Sequence, residues 1–195
     1  MVCCTQATPR SPGAEEAEAG KEAARAGHWA AAAECYQKAA EQGNSAGLSL
    51  LGECLYQGRG VPKSAAQARK LWKAAAESGE TIALLNLGDD CAARGDNGKA
   101  LLWYRRARQN AAAVPDIEYT PRVCLRLAQY ETRYTSRKKA LALAAEAKQA
   151  FTILQREHEP DADCWLQEAE QLLYELTHEP PTAPAAYNIE SLQLD

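Results

Sequence analysis

From about residue 14 to residue 148, apolar and small side chains recur three and four positions apart, the spacing that gathers them on one face of an α-helix. Breaks at Gly43, Gly58-Arg59-Gly60-Val61-Pro62, Gly79 and Arg94-Gly95-Asp96-Asn97-Gly98 cut this pattern into pairs of helical stretches. Each unit therefore reads as helix, turn, helix. Gly43 and Gly79 each follow a long periodic stretch, where a helix can end in a left-handed residue that glycine adopts without a side-chain clash.

The units share a register. Gly20 precedes Ala32, Tyr36 and Ala39; Gly52 precedes Ala68, Trp72 and Ala75; Gly88 precedes Ala100, Tyr104 and Ala107. A degenerate fourth unit has Ala128 before Ala140, Ala144 and Ala147. Glycine inside a helix costs about 1 kcal/mol against alanine, so its recurrence in phase calls for a packing reason. The small residue of the first helix lets the second approach closely, and the bulky Tyr36, Trp72 or Tyr104 is expected to fill the space between units.

Beyond the fourth unit, a helix beginning near Ser136 is expected to run through Phe151 and Leu154 to about Glu157, with a break at Pro160. A last amphipathic helix, from about Asp161 to Thr177, gathers Trp165, Ala169, Leu172, Leu173 and Leu176 on one side and would cap the apolar end of the last repeat. The stretch from Gln109 to Thr120, with Pro115 and then Pro121, departs furthest from the repeat and is expected to bulge from the stack. Residues 1–12 read as a disordered leader and residues 179–195, with three prolines, as a flexible tail.

The stretch from Ala46 to Gly79 resembles a Sel1-like repeat. Leu51-Gly52, Tyr56-Gln57-Gly58-Arg59-Gly60-Val61-Pro62-Lys63, Ala68 and Leu71-Trp72-Lys73-Ala74-Ala75 carry the likeness. The flanking units, with their shorter spacing, resemble the related tetratricopeptide repeat. The resemblance implies an all-α fold: a right-handed α-solenoid of antiparallel helix pairs, with repeats at about 14–43, 44–79, 80–110 and 121–157 and a capping helix at 161–177. The cysteine bridge of some Sel1-like families is not carried over, because Cys54 has no cysteine in the second helix of its own unit.

The same resemblance implies a protein or peptide partner held on the concave side, which the first helices line. By phase, the candidate groove residues are Lys21 and Arg25, then Glu53, Tyr56 and Gln57, then Asn86 and Asp89, then Arg122, Arg126, Gln129 and Arg133. Such a groove would be acidic in the middle and basic toward the fourth unit. The lysine/asparagine/arginine clamp by which some tetratricopeptide domains grip a C-terminal carboxylate is not reproduced, since Ala17 and Leu50 stand at early clamp positions.

Composition narrows the alternatives. Alanine is abundant, aromatics are 7% of the 195 residues and the formal charge is -4, which favours helix and argues against nucleic acid as the main partner. The glycine-rich turn at 58–63 lacks both the third glycine of a dinucleotide loop and the Gly-Lys-Ser/Thr of a phosphate loop. His28, His158 and His178 lack metal-ligand spacing, and no Cys-x-x-Cys or Gly-x-Ser-x-Gly occurs. No catalytic residue, cofactor site or metal site is assigned.

Seven cysteines, an odd number, suit a reducing compartment and a cytoplasmic chain. Cys35, Cys54, Cys91, Cys124 and Cys164 all fall in predicted helices, where free cysteines usually act as small buried hydrophobes. The leading expectation is a non-enzymatic adaptor or scaffold. The alternatives are a cell-envelope Sel1-like factor and a thiol- or metal-responsive protein using Cys3 and Cys4.

Overall fold

The computed structural model describes residues 11–113, 119–134, 136–157, 159 and 161–178, without the side chains of Thr132, Arg133 and Tyr134. Among the described residues there are nine α-helices and no strand: α1 (Ala14–Arg25), α2 (Trp29–Glu41), α3 (Ser45–Gln57), α4 (Ala65–Glu77), α5 (Thr81–Ala93), α6 (Asn97–Ala113), α7 (Tyr119–Tyr134), α8 (Arg137–Arg156) and α9 (Ala162–His178). None of these helices is long and apolar enough to cross a membrane. The chain forms two compact units that meet at Ala83 and Leu84, near the start of α5.

Local chemistry sets the helix boundaries. The Gly47 amide donates to Asn44 Oδ1 at 2.9 Å, the Gln67 amide to Ser64 Oγ at 3.4 Å, the Lys99 amide to Asp96 Oδ1 at 3.2 Å and the Lys139 amide to Ser136 Oγ at 3.4 Å. These side chains satisfy amides that the first turn leaves without an intrahelical acceptor, a contribution of about 1 kcal/mol each. Gly43 and Gly79 have φ of 81° and 79°, so both helix-ending glycines are left-handed as the sequence predicts.

In the first unit, α1 packs on α2, α3 on α4, and α2 on α3. The ring of Tyr36 lies against Gly20, where an added β-carbon would collide with it, and the indole of Trp72 lies against Gly52 in the same way. Around Tyr36, the side chains of Ala32, Ala33, Leu50 and Cys54 form a buried cluster with Leu51 and Val61 at its edge. The tight turn at Gly60 follows from the same crowding: φ is 71°, and a β-carbon there would meet the Trp29 carbonyl.

In the second unit, α7 packs on α6, α8 on α7, and α9 on α8. Tyr104 lies against Gly88 as Tyr36 does against Gly20. The fourth pair is built differently: Ala128 and Ala144, both 0% exposed, share a cluster with Ala140 and Leu176, so neither partner is large. A second cluster joins Cys124, Leu125, Ala147, Phe151, Leu154, Ala162 and Ala169. Burial of a Phe or Leu side chain contributes about 1.5–3 kcal/mol, so Phe151 and Leu154 anchor α8 against α9. The Arg137 guanidinium donates to the Leu176 carbonyl and covers an end of α9 that lacks intrahelical donors.

Four expectations change. The leader reading fails at its end, because Pro12 accepts a hydrogen bond from Asn44 Nδ2 at 3.1 Å and Gly13 packs on Ala39; residues 1–10 and 179–195 lie outside the described residues. Residues 109–113 continue α6, and Tyr119 already begins α7, so the departure from the repeat is shorter than the prolines suggest. Pro121 is accommodated in the first turn of α7, where no intrahelical amide donor is needed. Asn97 and Gly98 are helical, because Asp96 caps α6 ahead of them. Finally, Cys54, Cys91 and Cys124 are buried as expected, but Cys35 is only half-buried and Cys164 is exposed on the outer side of α9.

Candidate partner-binding face

The first helix of each pair offers one polar stripe. In the first unit α1 and α3 touch. On α1, Lys21 pairs with Glu18 at 3.5 Å and Arg25 is exposed in the last turn. On α3, Glu53 accepts a hydrogen bond from Gln57 Nε2 at 3.1 Å, and the Tyr56 ring tilts against Trp72 with centroids 5.2 Å apart. Tyr56 is thereby fixed by packing, while Gln57 and Arg25 stay in solvent.

The second unit gives a more closely knit arrangement. From Ile82 to Cys91, every residue of α5 is buried except Asn86 and Asp89. From Pro121 to Glu131, the residues of α7 that solvent reaches are Arg122, Arg126, Gln129 and Tyr130. Spacings of three and four place each set on one face. Arg133 belongs to α7 by position, but its side chain lies outside the described residues.

These side chains are joined across helices. Arg126 Nε stands 3.6 Å from Asp89 Oδ1, and Arg126 Nη1 donates to Glu168 Oε1 of α9 at 2.7 Å. Gln129 Nε2 donates to the same Glu168 oxygen at 2.7 Å, while the Tyr104 hydroxyl donates to Asp89 Oδ1 at 2.6 Å. The result is an acid–base–acid ladder across α5, α7 and α9. Burial opposes the charge on Arg126, but Asp89 and Glu168 outweigh it and raise the guanidinium above its usual range. Burial first, then the Asp89 charge and hydrogen bond, push the Tyr104 hydroxyl well above the usual tyrosine range, so it remains a donor.

The ladder changes the expected charge of this face. Arg126 does not project as a free cation but is shared between two carboxylates, and the Arg122 guanidinium lies over the rings of Tyr119 and Trp165 at 5.4 and 5.0 Å. Glu168 and Trp165 were absent from the sequence-based set. Nothing local marks them, since Arg126 and Glu168 are 42 residues apart and meet only after α9 docks.

Among the described residues no group of three or more His, Cys, Asp or Glu side chains could hold a metal ion. Burial raises the thiol of Cys54 to about 11 and that of Cys124 to about 12, which keeps both protonated and weakly nucleophilic near neutral pH.

Comparison with known proteins agrees with this architecture. The Sel1 repeat model matches residues 30–44, 45–80 and 82–110. It thus extends to the third unit and to the second helix of the first, where the sequence resembled a tetratricopeptide repeat more closely. No curated protein matches the chain.

Among solved structures, a protective antigen present in uropathogenic Escherichia coli strains and displaying an SLR fold aligns with a TM-score of 0.54 and 22% identity. The alignment covers 81% of this chain and 37% of the antigen, so the chain spans little more than a third of that protein's length. A Sel1 repeat protein from Oxalobacter formigenes aligns with a TM-score of 0.52 and 20% identity, covering 82% of this chain and 73% of that one. At these identities the likeness is one of fold. Sel1 repeats generally mediate protein–protein interaction and are typically non-catalytic scaffolds. With its helix pairs and its repeat matches together, the chain is an all-α solenoid protein that carries three Sel1 repeats within residues 30–110.

Proposed function

We propose that the chain is a non-enzymatic adaptor or scaffold that holds a protein or peptide partner on the first-helix faces of its units. The carrying observation is the stripe on α5 and α7: between Ile82 and Cys91 and between Pro121 and Glu131, the few positions that solvent reaches all carry polar side chains. Asp89, Arg126, Gln129 and Glu168 are joined by hydrogen bonds and ion pairs, with Asn86 and Arg122 beside them on the same face, so the centre of this surface is ordered before a partner arrives. Preorganisation of that kind lowers the entropy lost on binding. Lys21, Arg25, Glu53, Tyr56 and Gln57 are assigned the same role in the first unit. A cytoplasmic location is part of the reading and rests on the odd number of cysteines.

The test is to capture partners from the native cell with the tagged chain and to map the purified complex by hydrogen exchange. Protection concentrated on α5, α7 and α9, or on α1 and α3, supports the assignment. Protection confined to the second helices α2, α4, α6 and α8 overturns it.

A further inference from the structure

We propose that the α5–α7–α9 face takes a basic side chain, arginine or lysine, from an extended partner segment. This rests on the docking role just assigned and adds the chemistry of what docks. The ladder holds two carboxylates for one guanidinium, and Arg122, the other described cation of this face, is turned onto the rings of Tyr119 and Trp165. The contacts made by Asp89 and Glu168 all fall on one oxygen each: Asp89 Oδ1 takes the Tyr104 hydroxyl and faces Arg126, and Glu168 Oε1 takes both Arg126 and Gln129. Oδ2 of Asp89 and Oε2 of Glu168 are left to accept from outside, and the two side chains are 39% and 35% exposed.

A second observation comes from α5 itself. Asn86, one turn before Asp89 on the same stripe, has its Nδ2 buried without a hydrogen-bond partner. An unmade hydrogen bond of this kind is costly, and a small shift of the side chain toward the face would let it donate to a carbonyl of the segment beside the basic residue. An acidic residue is disfavoured here, because Arg126 already has carboxylates on both sides and an incoming one would have to displace Glu168 from two donors.

The experiment uses the isotopically labelled full chain and three capped tripeptides: acetyl-Ala-Arg-Ala-amide, its citrulline counterpart, which keeps the shape without the charge, and its glutamate counterpart. The arginine peptide is expected to shift the side-chain amide resonances of Asn86 and Gln129 saturably. The citrulline peptide should bind about two- to fivefold more weakly, the range of an exposed charge pair. Asp89→Asn and Glu168→Gln should each weaken the arginine peptide by a similar factor. Equal binding of arginine and citrulline peptides, tighter binding of the glutamate peptide, or tightening by Glu168→Gln overturns the proposal. If either variant fails to fold, the arginine–citrulline comparison on the unaltered chain decides.

Failure of this inference is separable from failure of the docking role. A captured partner that maps to α5, α7 and α9, yet binds equally after its basic residues are replaced by glutamine, removes only the charge assignment. A partner that maps to the second helices removes both.

Discussion

The indole of Trp72 occupies the space that a β-carbon on residue 52 would need, with its Nε1 2.5 Å from that position, and the same nitrogen donates to the Ser49 carbonyl at 3.0 Å. Gly52 is thus the recess and Trp72 the side chain that fills it. Trp72→Ala should cost about 3–5 kcal/mol by cavity formation, read as a lower urea midpoint. An unchanged midpoint would show that the indole does not hold the pair together.

The matching pair in the third unit permits a sharper measurement. Gly88→Ala alone forces Tyr104 to move and should destabilise by about 1–3 kcal/mol, more than the gain in helix propensity returns. In a Tyr104→Ala background the same change should cost less, with a coupling of about 0.5–3 kcal/mol in a double-mutant cycle. Additive effects would mean that Gly88 is there for another reason.

Asn44 serves two elements at once, capping α3 through Oδ1 and holding the Pro12 carbonyl through Nδ2. Asn44→Ala should cost about 1–3 kcal/mol, the sum of a lost cap and a lost part-buried hydrogen bond. Asn44→Asp, which keeps the cap and loses the amide donor, should recover most of the cap's share in thermal melts.

Thiol chemistry separates the cysteines. Of those in the described helices, Cys164 should react first with a thiol reagent at pH 8, Cys35 next, and Cys54, Cys91 and Cys124 only on the timescale of unfolding. Burial raises Cys54 to about 11 and Cys124 to about 12 from an ordinary 9.0. The unfolded chain therefore loses these protons first. Their contribution is fully present below pH 9 and is lost as pH rises from there toward 11–12. Replacing Cys124 with alanine should flatten the fall in melting temperature over that window, relative to the unaltered chain.

The repeat was legible because its determinants are local. The phase of Gly20, Gly52 and Gly88 marked where the second helix closes on the first, but it put the rings of Tyr36, Trp72 and Tyr104 between units, whereas each lies against the glycine of its own pair; the left-handed Gly43 and Gly79 followed from their place after periodic stretches. The stripe on α5 and α7 could be read for the same reason, since helical spacing assigns Asn86, Asp89, Arg122, Arg126 and Gln129 to one side. What those residues do to one another could not. Arg126 reads as a free cation until α9 brings Glu168 to it, and Cys164 reads as buried until the direction of α9's apolar seam is known. The extent of α6 was misjudged because proline content was taken as a boundary, although helix continues to Ala113 and restarts at Tyr119.

The fourth pair, where the small Ala128 and Ala144 share a cluster with Leu176 of α9, has a consequence for how such a chain can be rearranged. A large ring against a glycine, and small residues on both helices of a pair, are alternative solutions to one spacing, and they do not mix: a half-unit from one kind set against a half-unit from the other leaves either a clash or a void. Duplication or transplantation of repeats in this chain should therefore succeed when both helices travel together. Hybrids joined at the intervening turn should fail, whatever their surface residues.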